Sequence, residues 1–156
     1  MINELTFVYI SLSGNTHSFV TRLQTYLMIQ NPELTINLVH IKDIVKNGEG
    51  FFDLNKPYVT FIPTYLEGGN GIDNGDVEIL TTDVRDFMAY GENAYYCIGV
   101  VGSGNRNFNH QYCLTAKQYS QQFSVPVLDT FEMRGMQNDV ERIAHKILEA
   151  YQAIYS

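Results

Sequence analysis

The chain has 156 residues, 45 % of them hydrophobic and 17 % charged, with a formal charge of −7 at neutral pH. That length suits one compact domain that buries most of its apolar surface without covalent staples, and the composition excludes disorder. So acidic a surface repels nucleic-acid phosphates and anionic lipid, which argues against both as partners.

No apolar run approaches the roughly 20 residues that cross a bilayer. Met1 to Ile10 carries no basic region ahead of an apolar one, so no signal peptide is expected. Cys97 and Cys113 form no C-x-x-C pair, and His17, His40, His110 and His145 lack zinc spacing. Both cysteines read as small core residues, and a cytoplasmic location follows as the expectation. No repeat, linker or low-complexity tract divides the chain, so residues 1–156 are expected to form a single domain.

Leu5 to Ile10 is an apolar, β-rich run that ends at Ser11-Leu12-Ser13-Gly14-Asn15-Thr16. Phe19, Val20, Leu23 and Leu27 then line one face of a helix, with Pro32 beyond its end. Leu34 to His40 alternates and reads as a second strand at an edge of the sheet. After a polar stretch, Tyr58 to Ile62 forms a third strand, which stops at Pro63-Thr64-Tyr65. Gly68, Gly69, Gly71 and Gly75 then exclude a regular element.

Val77, Leu80, Val84, Phe87 and Met88 give the next helical stripe. Ala94 to Val101, the most apolar run, suits a strand buried on both faces. Tyr112, Cys113, Ala116, Tyr119 and Phe123 mark another helix, and Val125 to Phe131 a fifth strand. The last helix carries Val140, Ile143, Ala144, Ile147, Leu148, Tyr151 and Ile154 on one face, with Asn138 and Glu141 as a capping-box-like start. Tyr90, Tyr95 and Tyr96 read as core or sheet packing.

Strand–helix alternation of this kind demands an α/β fold, a doubly wound five-stranded parallel sheet with helices on both faces. The order 2-1-3-4-5 puts the switch point between strands 1 and 3, where ligands bind beyond the carboxyl ends. Acidic residues that a phosphorylatable receiver domain needs there are missing: the positions hold Ser11, Ser13, Pro63 and Thr64.

Three turns lie at that end. In the first, hydroxyls, an amide side chain and opening helix N–H groups converge without any Lys or Arg, which suits a monophosphate and excludes a P-loop. In the second, Tyr65 can stack on a planar heterocycle beside the backbone exposed at Gly68 and Gly69. The third, Gly102-Ser103-Gly104-Asn105-Arg106-Asn107-Phe108, offers backbone donors and an aromatic wall. Each alone also reads as an ordinary turn. Together they occupy the places where flavin mononucleotide (FMN) would touch this fold.

The first turn resembles the S/T-x-S/T-G-N-T phosphate loop of flavodoxins. The run from Gly102 to Phe108, then Val125-Pro126, Phe131-Glu132-Met133, Gly135 and Gln137 to Glu141, resembles the NrdI family. Those proteins are flavodoxin-like activators of class Ib ribonucleotide reductase, and the likeness spans nearly the whole chain.

The resemblance implies that reduced FMN reacts with O2, and that the superoxide passes to the dimanganese small subunit of the reductase to form a tyrosyl radical. It implies an electron-donating reductase or thiol-redox protein as reductant. By motif position, Ser11, Ser13, Gly14, Asn15 and Thr16 would hold the phosphate. Thr64, Tyr65, Gly68 and Gly69 would face the ring from one side, and Ser103, Gly104, Asn105, Asn107 and Phe108 from the other. Many relatives run directly from Tyr into glycines, whereas Leu66 and Glu67 intervene here. Arg106 and His110 are expected to offset Glu67, Asp73 and Asp76, easing full reduction of the flavin relative to a one-electron carrier flavodoxin, the alternative function.

Overall fold

The computed structural model describes residues 4–65, 78, 80–105 and 112–155. Along the chain the elements are β1 (Glu4–Tyr9), α1 (Asn15–Gln30), β2 (Thr35–His40), α2 (Ile41–Lys46), β3 (Tyr58–Pro63) and α3 (Thr82–Ala89). They continue with α4 (Asn93–Tyr96), β4 (Cys97–Gly104), α5 (Leu114–Phe123), β5 (Val127–Glu132) and α6 (Gln137–Tyr155). The strands pair in parallel in the order β2-β1-β3-β4-β5, as the alternation requires.

Because side chains alternate across a strand, β1 feeds two cores. Leu5, Phe7 and Tyr9 join the layer beneath α1 and α6, whereas Val8 and Ile10 join the layer beneath α2, α3 and α5. In the first layer Phe19 stacks on Phe131 at 3.8 Å, and Phe7 meets Phe61 edge-on at 4.9 Å. In the second, Phe87, Met88, Ala116 and Tyr119 are fully buried against Val8, Tyr58 and Ile62. No helix among the described residues is long and apolar enough to cross a membrane.

Several element boundaries differ from the sequence expectation, each for a local reason. Residues 94–96 are helical, and β4 begins only at Cys97. There the Asn93 side chain, fully buried, donates to Phe52 O and Phe87 O and accepts from the Leu54 amide at 2.9 Å. That hub holds the chain in a turn where hydropathy alone favours strand. The same turn leaves Tyr95 82 % exposed and Tyr90 exposed too, so neither packs in the core.

The polar stretch after β2 contains α2, which buries Ile41 and Ile44 one helical turn apart. At α3 the helix starts at Thr82, so Glu78 and Leu80 lie outside it. The α6 start also shifts: Asp139, rather than Glu141, reaches back, accepting the Met136 N–H at 2.7 Å. β2 is an edge strand paired with β1 alone, as its weaker burial implied.

The turn from β5 into α6 depends on Gly135, whose φ of +76° suits glycine and whose missing Cβ would lie 2.5 Å from Phe19 Cδ1. Arg22 holds this turn against α1 by donating to Gly135 O at 3.1 Å and to Arg134 O. Gly135→Ala combines a left-handed backbone with a clash on a ring already stacked. It is expected to cost about 2–3 kcal/mol, measured as a lower urea midpoint at unchanged slope.

Candidate functional site

At the switch point between β1 and β3, the turn after β1 is held by Ser11, which is only 6 % exposed. Its Oγ accepts the His17 N–H at 3.1 Å, and its own N–H donates to His40 Nε2 at 3.0 Å. With one lone pair so engaged, the Ser11 hydroxyl proton remains able to donate to a ligand. Gly14 has φ +94°, and no heavy atom lies within 4 Å of where its Cβ would be. Only glycine adopts that conformation freely, and the space above it is open.

The Gly14 carbonyl accepts the Ser18 N–H at 3.0 Å. The first four N–H groups of a helix have no partner within it. With the His17 and Ser18 amides engaged, those of Asn15 and Thr16 remain as open donors of the helix among the described residues. Ser13 and Gly14 are exposed, Asn15 half-buried and Thr16 buried, so the turn presents a graded rim. It contains no Lys or Arg. Neutral donors plus the positive end of a helix dipole suit an anion of low charge.

Register brings the other turns level with it. β1 pairs β3 with Tyr9 opposite Phe61, so Ser11, two residues beyond the end of β1, lies level with Pro63, the last residue of β3. β3 pairs β4 with Pro63 opposite Ser103. Beyond that pair, the Thr64 N–H donates to Ser103 O at 3.1 Å, and Thr64 Oγ1 accepts the Thr115 N–H at 3.4 Å. Thr64, Tyr65, Gly104 and Asn105 are half-buried and Ser103 is buried. Gly104 O accepts the Met133 N–H at 2.8 Å, fixing the third turn to the end of β5.

Ser11, Ser13, Gly14, Asn15 and Thr16 thus share one turn, and Thr64, Tyr65, Ser103, Gly104 and Asn105 share the neighbouring two. Gly68, Gly69, Asn107 and Phe108 lie outside the described residues, as do Glu67, Asp73, Asp76, Arg106 and His110.

Two clusters at this end escaped the sequence reading. Tyr9 is nearly fully buried, stacks on the His40 ring at 4.6 Å with planes 10° apart, and has its hydroxyl 2.7 Å from His17 Nδ1. Burial, with Asp43 adding to it, pushes the Tyr9 phenol up to about 12, so it stays protonated at neutral pH. Only the pairing of Tyr9 with His40 across β1 and β2 makes this visible.

The second cluster is centred on Glu78, which accepts from the Tyr119 hydroxyl at 2.6 Å, the Thr81 hydroxyl and Arg85. Arg85 also lies over the Tyr119 ring, 5.8 Å from its centroid. Burial and the neighbouring Glu78 carboxylate push the Tyr119 phenol far above its usual range. Removing Glu78 takes away the acceptor of the buried Tyr119 and Thr81 hydroxyls and the ion partner of Arg85, whose side chain is 35 % exposed. Glu78→Ala is therefore expected to lose about 2 kcal/mol of stability in urea unfolding, more than Asp86→Ala on the exposed side of α3.

A family model described as NrdI flavodoxin like matches residues 7–145. An NrdI-like protein of Streptococcus pneumoniae is 64 % identical over 151 residues, which cover 97 % of each chain. Protein NrdI of Mesoplasma florum is 33 % identical over 149 residues, 95 % of this chain and 86 % of that one.

Among solved structures, a short-chain flavodoxin associated with a bacterial microcompartment superposes with a TM-score of 0.68 at 16 % identity, covering 97 % of this chain and 99 % of that one. A Fusobacterium nucleatum flavodoxin mutant bound to flavin mononucleotide gives 0.61 at 15 %, covering 96 % of each. Identities this low carry the fold alone, whereas the family model and the close relatives carry more. The chain belongs to the NrdI flavodoxin-like family.

Proposed function

We propose that this chain binds one FMN across the carboxyl ends of β1, β3 and β4 and supplies oxidant for assembling the dimanganese–tyrosyl radical cofactor of a class Ib ribonucleotide reductase small subunit. The observation that carries the flavin reading is the β1 turn. Ser11, Gly14 and the opening amides of α1 form an anion site of neutral donors at the switch point. Such a donor set suits a phosphate monoester and lacks the cation that a triphosphate requires.

In this reading Ser11, Ser13, Gly14, Asn15 and Thr16 hold the phosphate. Thr64, Tyr65, Gly68 and Gly69 lie against the ring from the β3 side, and Ser103, Gly104, Asn105, Asn107 and Phe108 from the β4 side. When bound and reduced, FMN supplies the electrons that convert O2 to superoxide. The protein's own thiols are poor candidates for that work. Cys97 and Cys113 are buried, and burial pushes the Cys97 thiol up to about 11.

Membership of the NrdI family supports the reductase partner, and an electron-donating reductase or thiol-redox protein would recharge the flavin in the cytoplasm. The flavodoxin structural neighbours favour a second reading, a one-electron carrier on the same fold.

Adding FMN to ligand-free protein is expected to quench flavin fluorescence at one equivalent, with a Kd of about 1 µM or tighter. A crevice that takes up no FMN in excess sinks the flavin reading. Reduced protein mixed with O2 and a Mn(II)-loaded class Ib small subunit is expected to give a tyrosyl radical by electron paramagnetic resonance. Absence of radical from a competent small subunit assigns the carrier instead.

A further inference from the structure

His40 stands at the end of the edge strand, directly opposite Tyr9 in the β1–β2 register. Its ring lies flat on the Tyr9 ring at 4.6 Å, and only 17 % of the side chain is exposed. The stack fixes the ring so that Nε2 meets the Ser11 amide at 3.0 Å. A backbone N–H only donates, so Nε2 must offer its lone pair and the ring proton must sit on Nδ1. Nδ1 faces Asp43 Oδ2 at 3.5 Å.

Ser11 is therefore clamped from two sides. His40 takes its amide, and the His17 N–H binds its Oγ. Both bonds end on the first residue of the anion-binding turn. Protonating Nε2 sets one N–H against another, so either the ring leaves Tyr9 or Ser11 moves. Movement of Ser11 also loosens its cap on α1.

The geometry points to His40 as a positioning residue for the phosphate turn, acting through the acceptor it offers to the Ser11 amide, so that FMN is held tightly only while that ring is neutral. This deepens the FMN reading above and rests on it.

The groups facing the ring are Tyr9 from β1, His17 from α1, and Lys42 and Asp43 from α2. Burial holds the imidazole below its ordinary value, with His17 and Lys42 adding to the effect and Asp43 opposing it. The depressed direction sets the sign. The neutral, turn-holding form is complete above about pH 6.5 and is lost as pH falls through the lowered value. The phosphate of FMN itself gains a proton near pH 6, which weakens binding in any protein. A control that does not titrate is therefore required.

His40→Gln places an amide oxygen near the Nε2 position and keeps an acceptor at every pH, while His40→Phe keeps the stack on Tyr9 but has no acceptor. FMN affinity is read by fluorescence quenching between about pH 8 and about pH 5. At the upper end, wild type and His40→Gln are expected to agree within about twofold, and His40→Phe to bind about tenfold more weakly. Toward the lower end, wild type should lose about tenfold more affinity than His40→Gln.

Superimposable pH profiles for wild type and His40→Gln overturn the inference, as does a folded His40→Phe that binds like wild type. A parallel readout needs no flavin. In the ligand-free protein the Ser11 amide resonance should titrate with the His40 ring protons. If that amide follows His40 but no FMN binds at any pH, the cofactor reading fails while the clamp on the turn stands. FMN binding with a Ser11 amide indifferent to His40 removes the positioning role alone.

Discussion

Ser11 is the residue through which the sheet, the first helix and the edge strand agree on one geometry. Its amide is bound by a side chain from β2, and its hydroxyl caps α1. On the FMN reading the turn between them must stay open enough to admit an anion, yet it contains no cation to organise the ligand's charge. A turn built from neutral donors works only if those donors are aimed beforehand, because a helix dipole fades within its first turn. In a chain with a net charge of −7, pre-aimed donors are what would have to overcome the background repulsion of a phosphate on the FMN reading.

The other side of the crevice is anchored differently. Thr64 leaves β3 with its hydroxyl accepting from the Thr115 amide, and Glu78, beyond the glycine-rich stretch, accepts from Tyr119. Thr115 and Tyr119 are four residues apart on α5, so they lie on one face of the same helix. Both ends of the segment 66–77 are therefore tied to one rigid element. The Glu78 cluster supplies the stronger tie, since its carboxylate has several charged or hydroxyl partners in a buried setting.

How much of this was legible in the sequence follows from the range of the interactions. Strands and helices came through because hydropathy period is local: the run Leu5 to Ile10 and the stripe from Val140 to Ile147 carry their own signal. The three turns were legible because strand ends place them. What the sequence concealed are contacts between distant residues. His17 and His40 look scattered until parallel pairing sets His40 beside Tyr9 and α1 sets His17 beside them. Asn93 looks like a turn residue, yet it organises the segment around Leu54 through bonds spanning some forty residues. That hub also explains why Tyr95 lies exposed where an apolar run argued for strand.

Fold and family make different claims about this chain. Flavodoxins at 15–16 % identity share its backbone, so the sheet and its switch point are common property and settle no function by themselves. The NrdI relatives share far more, over nearly the full length. A carrier and an oxidant source would both need a phosphate grip like the β1 turn, because both must retain the same group. The distinction between them therefore belongs where the ring and the partner would meet, in the segments following β3 and β4. Those are the segments where the sequence is most particular, with Leu66 and Glu67 ahead of the glycines and Arg106, Asn107 and Phe108 after Gly104. On the FMN reading the clamp on Ser11 would serve either function, and a difference in chemistry would have to arise in those later segments.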